Sequence, residues 1–290
     1  MKPAIVDYMD PEFGRKFSES MRDTGFGIIT NHLIPAGLIQ RVFQEWEDFF
    51  ALTEGKKNEY LRPDDESQYG YYPLGSENAK DSKVKDLKEF FQIYLDKGNM
   101  QTDPRFEATM DLRALLDAVG QRLLDKLEMN GPMNNADYPY FKDLSQMAHG
   151  SNQTMMRAIH YPPIEGEVEP GAMRAAAHGD INLITLLVAG TQPGLQVQDN
   201  AGNWHDVSCD PGSIAVNVGD MLQECSNGYY KSTIHRVVNP QGQPNVSRYS
   251  IPLFIHPRPE VRLSDRHTQE SYLDERLREI GLRPKKGAAA

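Results

Sequence analysis

From Thr154 onward the chain breaks into short apolar runs, each closed by a turn signal, and this texture restricts the fold more than any other feature. Candidate strands are Met155–Tyr161, Leu183–Ala189, Leu195–Gln198, Trp204–Val207, Ile214–Val218, Thr233–Val238 and Tyr249–Ile255. Between them stand Pro162-Pro163, Gln192-Pro193-Gly194, Asn200-Ala201-Gly202, Asp210-Pro211-Gly212, Gly219-Asp220 and Asn227-Gly228. Many short strands at regular spacing describe a sandwich or a barrel. A double-sheet jelly roll is the expectation, because its two sheets enclose a cavity. Asn227-Gly228 suits a tight hairpin, since both residues tolerate positive φ.

The first half reads differently. In Pro35 to Leu52, Leu38, Ile39, Val42, Phe43, Trp46, Phe49 and Phe50 fall on one face of a 3.6-residue period. A second stripe runs through Leu112, Leu115, Leu116, Val119, Leu123, Leu124 and Leu127, and stops at Asn130-Gly131-Pro132. Both stripes are core faces. Glu89 to Leu95 reads as a strand, Thr53 to Ser82 as a turn-rich connection, and Gln269 to Ile280 as a last short helix. The fold class is therefore mainly β with flanking α-helices: a double-stranded β-helix core with a helical N-terminal region. Residues 1–100 form that helical region and 101–290 the jelly-roll region with its packing helices, as one structural unit.

Composition narrows the function. The chain of 290 residues has a formal net charge of −10 and no basic cluster beyond Lys285-Lys286, so a nucleic-acid partner is not expected. No apolar stretch approaches the length of a membrane span, and the N-terminus meets acidic residues before a signal core could form. The chain reads as a soluble cytoplasmic protein whose two cysteines, Cys209 and Cys225, are reduced thiols. The tail from Gly281 is expected to fray.

His178-Gly179-Asp180 opens one predicted strand, and His235 lies in another. Alternate residues of a strand share a face, so an extended backbone would aim His178 and Asp180 at one point. Two imidazoles and a carboxylate form a three-ligand face that leaves coordination positions open, as in non-haem iron(II) oxygenases; the same donors also serve zinc. Arg248 and Ser250 share a face of the last predicted strand. A guanidinium grips a carboxylate with two parallel hydrogen bonds, and a serine hydroxyl adds a third. An inward Arg calls for an anion, which a dicarboxylate would supply.

Taken together, these segments resemble the isopenicillin N synthase-like group of iron(II)- and 2-oxoglutarate-dependent oxygenases, over nearly the whole chain. The similarity extends to Asp23–His32, Met156–Pro163, Gly194–Val197, Val216–Asp220 and Ser226–Ser232. It implies that His178, Asp180 and His235 ligate Fe(II). It implies that Arg248 and Ser250 hold the distal carboxylate of 2-oxoglutarate, and that Tyr161 hydrogen-bonds this cosubstrate. The family's usual asparagine two residues before that tyrosine is Ile159 here, and the usual Thr of the His-x-Asp motif is Gly179. With O2, such an enzyme oxidises an unactivated C–H bond of a small organic substrate, by hydroxylation, desaturation or cyclisation, and releases succinate and CO2. An iron oxidase of the same fold that does not use 2-oxoglutarate, and a non-catalytic metal- or ligand-binding jelly roll, are the alternatives. The substrate pocket is expected near Tyr69–Tyr72, Phe91 or Tyr94. His32 is expected to be structural, and the five other histidines to be surface or locally bonded.

Overall fold

The computed structural model describes residues 2–62, 68–77, 84–97, 103–199, 201–207, 210–242 and 244–279. Asn200, Cys209, Ile280, the tail and part of the 53–82 connection lie outside the described residues.

Two sheets face each other. The larger runs, in spatial order, through β1 (Ala4–Asp7), β2 (Phe26–Thr30), β10 (Ile214–Val218), β7 (Ile184–Val188), β12 (Arg248–Ile255), β5 (Met155–Tyr161), β4 (Glu89–Ile93) and β3 (Gly70–Tyr72). The smaller contains β6 (Ala175–His178), β11 (His235–Val237), β8 (Leu195–Gln198) and β9 (Trp204–Asp206). Pairing is antiparallel except between β1 and β2. This is the jelly-roll core expected from the strand texture.

Alternation along the strands sorts their side chains. On β7, Ile184, Leu186 and Val188 join the large core under the helices, while Leu187 packs with Phe26, Leu195 and Val197 between the sheets. Helix α1 (Phe13–Thr24) buries Phe13, Phe17 and Met21, four residues apart. It ends at Gly25, whose φ of 68° and N–H to the Met21 carbonyl make a left-handed cap. Helix α2 (Ala36–Phe50) follows Pro35 and buries the predicted stripe except for the half-buried Phe43. Trp46 donates its indole N–H to Thr109 on α4 (Glu107–Met129) at 3.0 Å, and α4 buries its own stripe apart from Leu115, which is exposed on the helix's outer side. α4 crosses the large sheet at Gly120, where a Cβ would come within 2.0 Å of Ile255 Cδ1. Shorter helices are α3 (Glu54–Asn58), α5 (Leu144–Ala148), α6 (Asp220–Cys225) and α7 (Gln269–Glu279).

The first hundred residues supply β1 to β4 as well as α1 to α3. Asn227 and Gly228 do take positive φ, 47° and 77°, but they follow α6 instead of joining two strands. Gly219-Asp220, read as a plain turn, is the start of that helix.

Candidate metal centre and its cavities

β6 is an edge strand that ends at His178, so Asp180 lies beyond it. The expected convergence through strand alternation is therefore not how the two side chains meet. A β-bulge does the work instead. His178 pairs with His235 and Ala175 with Val237, so Ala176 and Ala177 stand against the single residue Arg236. The extra residue puts Ala175 and His178 on one face, a re-aiming that bulges commonly provide. The two imidazoles are direct cross-strand neighbours with ring centroids 4.4 Å apart.

Each imidazole is fixed by its own backbone. His178 Nδ1 donates to the Ala176 carbonyl at 2.7 Å, and His235 Nδ1 to the Thr233 carbonyl at 3.1 Å. Both Nε2 atoms are left as acceptors, the state a metal ligand needs. Asp180 is held from the other sheet: its Oδ2 accepts from Thr185 Oγ1 on β7 at 2.5 Å and from Asn217 Nδ2 on β10 at 2.7 Å. Its Oδ1 lies 3.8 Å from His178 Nε2 and 3.7 Å from His235 Nε2. One donor atom from each residue lies within 4.8 Å of the others, a spacing that can hold a metal ion.

Burial, reinforced by the neighbouring His235, pushes the His178 pKa down to about 4. Burial alone would raise the Asp180 carboxyl; the two histidines and the Asn217 and Thr185 hydrogen bonds outweigh it and hold the group below its ordinary value. A neutral imidazole and an ionised carboxylate are the ligand forms that bind a divalent cation. Thr185 and Asn217 escaped sequence reasoning. Their signal was a polar residue inside an otherwise buried apolar strand, as in Val216-Asn217-Val218.

Arg248 and Ser250 both lie on β12, opposite Tyr161 and Ile159 of β5. Ile159 and Tyr161 pack with Ala175 and Val237 of the small sheet. The face carrying Arg248 and Ser250 thus looks across the inter-sheet space at the face carrying the histidines. All of Arg248, Ser250 and Tyr161 are buried, and the Arg248 guanidinium lies 5.1 Å from the Tyr161 ring.

His178 and Asp180 open into a cavity of about 470 Å³. Arg248 lines a different one, of about 710 Å³. The first has a charged wall: Lys88 Nζ lies 2.8 Å from both Glu77 and Asp86, and Arg157 lies 3.1 Å from Glu77. Burial works against the Glu77 carboxylate, but Arg157 and Lys88 overcome it and keep its pKa far below the usual range. Tyr94 lines this cavity as expected, while Phe91, Tyr69 and Tyr71 face the core under the helices. His256 also lines it, although its spacing recruits it to nothing; burial pushes its pKa down to about 4. His32 bonds the Gly212 carbonyl and is structural. His160 is buried between Glu89, at 2.7 Å, and Ser247, at 3.0 Å.

A family model for the 2OG-Fe(II) oxygenase superfamily matches residues 152–257, the segment that carries all six of these candidate residues. A model for the N-terminal region of non-haem dioxygenases in morphine synthesis matches residues 5–112. A 2-oxoglutarate-Fe(II) type oxidoreductase of Emericella nidulans, hxnY, is 31% identical over 288 residues, covering 89% of this chain and 80% of that protein. The chain belongs to the 2OG-Fe(II) oxygenase superfamily. A gibberellin 2-beta-dioxygenase of Arabidopsis thaliana is 27% identical over 95% of this oxygenase and 84% of its own length. The crystal structure of an oxygenase from Shewanella oneidensis matches with a TM-score of 0.84 at 41% identity, covering 98% of this oxygenase and all of that chain.

The oxygenase is a 2-oxoglutarate-dependent Fe(II) dioxygenase, so it requires Fe(II), 2-oxoglutarate and O2. The donor chemistry fits the metal: two Nε2 lone pairs and one carboxylate oxygen face one another, with every remaining polar atom of the Asp180 carboxylate and of both rings already bonded elsewhere. Among the described residues no helix is long and apolar enough to cross a membrane.

Proposed function

We propose that the enzyme oxidises an unactivated C–H bond of a small, polar organic molecule bound in the 470 Å³ cavity, and couples this to conversion of 2-oxoglutarate and O2 to succinate and CO2. His178, Asp180 and His235 hold the metal. Arg248 and Ser250 hold the distal carboxylate of the cosubstrate, with Tyr161 beside them. The hydroxylation, desaturation or cyclisation outcome then depends on how the substrate is placed. Residues 1–100 and 101–290 act as one unit, because β1 to β4 belong to the same sheet as β12.

The observation that carries this reading is the arrangement of the three donors, each oriented by a hydrogen bond on its far side. Iron, when bound there, supplies the oxidising chemistry. The chain's own residues do the rest. Thr185 and Asn217 keep Asp180 Oδ1 turned to the histidines. The ion pairs of Glu77 and Asp86 with Lys88 and Arg157 give the substrate wall fixed polarity with balanced charge. Burial of His256 keeps a neutral imidazole on that wall, and its Nδ1 lies 3.2 Å from the Phe254 carbonyl as donor, so Nε2 accepts.

The test is succinate release by the Fe(II)-loaded protein against a panel of small polar metabolites, with and without 2-oxoglutarate. Substrate-stimulated succinate formation is expected, and it should vanish in Asp180→Ala. Iron-dependent O2 uptake that ignores 2-oxoglutarate would instead establish an oxidase in which Arg248 and Ser250 hold a substrate carboxylate.

A further inference from the structure

The 710 Å³ cavity holds a second buried arginine. Arg174 immediately precedes β6 and, like Arg248, is 2% exposed. Its Nη2 donates to the Val246 carbonyl at 2.7 Å, and its backbone N–H to Asn239 Oδ1 at 2.9 Å. Its Nε is buried and has no hydrogen-bond partner among the described residues. Burial, and then the charge of Arg248, lower the Arg174 pKa, so the two guanidinium groups sense each other through a poorly solvated space.

Other charges on this wall do not relieve them. Arg236 also lines the cavity but donates to Gln196 Oε1 and stacks on Trp204 at 3.9 Å. The acids there, Asp206 and Asp210, are both exposed, and Asp206 accepts from Gln196 Nε2. Two buried cations at one cavity repel in low dielectric, and an anion between them turns that cost into two sets of charge-assisted hydrogen bonds. Space has been left for the guanidinium: a Cβ on Gly190 would come within 3.0 Å of Arg248 Nη2. Across β5, the residue paired with Ser250 is the apolar Ile159, so a carboxylate at this place draws its further polar contact from another element.

We propose that Arg174 shares the distal carboxylate of 2-oxoglutarate with Arg248, making a two-arginine site. This rests on the reading of Arg248 as the cosubstrate clamp. Arg174 is then a binding residue for the cosubstrate, anchored by Val246, and discriminates dicarboxylate from monocarboxylate 2-oxo acids.

Calorimetric titration of the Fe(II)-loaded protein without oxygen tests it, with 2-oxoglutarate and with pyruvate, which lacks the distal carboxylate. Arg174→Met should raise the Kd for 2-oxoglutarate about tenfold or more, the loss of charge-assisted hydrogen bonds, and leave the Kd for pyruvate within about twofold. A folded Arg174→Met that binds 2-oxoglutarate as the parent does, or that loses both ligands equally, overturns the proposal. Should Arg174→Met not fold, Arg174→Gln, which keeps a donor for Val246, is judged by the same two ratios. Arg248→Met separates the two claims. If it leaves 2-oxoglutarate binding intact, the clamp reading fails; if it weakens binding and the Arg174 variants do not, only the two-arginine site fails.

Discussion

Asp180 is the ligand whose position depends most on neighbours. His178 and His235 are steered by carbonyls two residues back in the chain, but the Asp180 carboxylate is turned by Thr185 and Asn217 from two strands of the other sheet. Removing those donors leaves the ligand present and its orientation loose. Thr185→Val together with Asn217→Ala should therefore lower metal affinity by roughly ten- to a hundredfold, the usual cost of losing partners that orient a ligand. Equilibrium metal titration under anaerobic conditions reads this directly; an unchanged affinity would mean the histidines alone set the site. At this scale the sequence was informative where a residue type is rare in its setting. A His-x-Asp beside a later strand His is such a case, and so is Arg248-x-Ser250. Thr185 and Asn217 were missed because each is an ordinary polar residue whose meaning depends on register across β7 and β10. The burial of Arg174 was hidden for a similar reason: nothing in Met173-Arg174-Ala175 tells that the side chain turns inward.

At the scale of elements, the junction of β10 with α6 locks the metal loop. Gly219 caps α6, and its N–H donates to the Leu183 carbonyl at 2.9 Å, while Asp220 N–H donates to the Asp180 carbonyl at 2.7 Å. A Cβ at 219 would fall 2.1 Å from the Asn182 carbonyl oxygen, which is backbone and has no rotamer to yield. Gly219→Ala should destabilise the protein by about 1–3 kcal/mol, the range for overpacking, and weaken metal binding as well, because the 180–183 backbone must move. Thermal unfolding with and without metal checks both effects, and a variant with normal Tm would show that the loop has slack. Strand ends were legible to within a residue or two for β5, β8, β10 and β12, since turn residues bound them. β1 and β2 were not named, because four or five residues between a helix and a polar turn carry little periodicity. The bulge in β6 was also hidden: Ala175-Ala176-Ala177 has no pattern from which an extra residue could be read.

For the whole molecule, a metal held by His178 and His235 of the small sheet and by Asp180, which Thr185 and Asn217 anchor to the large sheet, would tie the two sheets together, so stability, metal and pH are linked. Without metal, the buried imidazoles are a liability in acid. His178 and His256 have folded pKa values of about 4, against about 6.5 in an unfolded chain. Between those values the unfolded state binds more protons than the folded one, so stability falls as pH falls, starting near 6.5 and continuing down to about 4. Below that range the carboxylates of Asp180 and Glu77, held below their ordinary values, begin to be protonated and remove further stability. Metal acts in the opposite direction. A divalent ion at a hundred times its Kd adds about 2.7 kcal/mol if it binds only the folded form. That gain shrinks with acid, because protons compete for the His178 nitrogen. Urea unfolding of chelator-treated protein should thus show a midpoint that drops steadily from pH 7 to pH 5, and His256→Gln should flatten the drop in part. The metal-loaded protein should unfold later at pH 7, with the difference between the two forms narrowing toward pH 5. A chelator-treated midpoint that stays level across this range would mean that the buried imidazoles find water, or a partner for their protonated forms, before the fold opens.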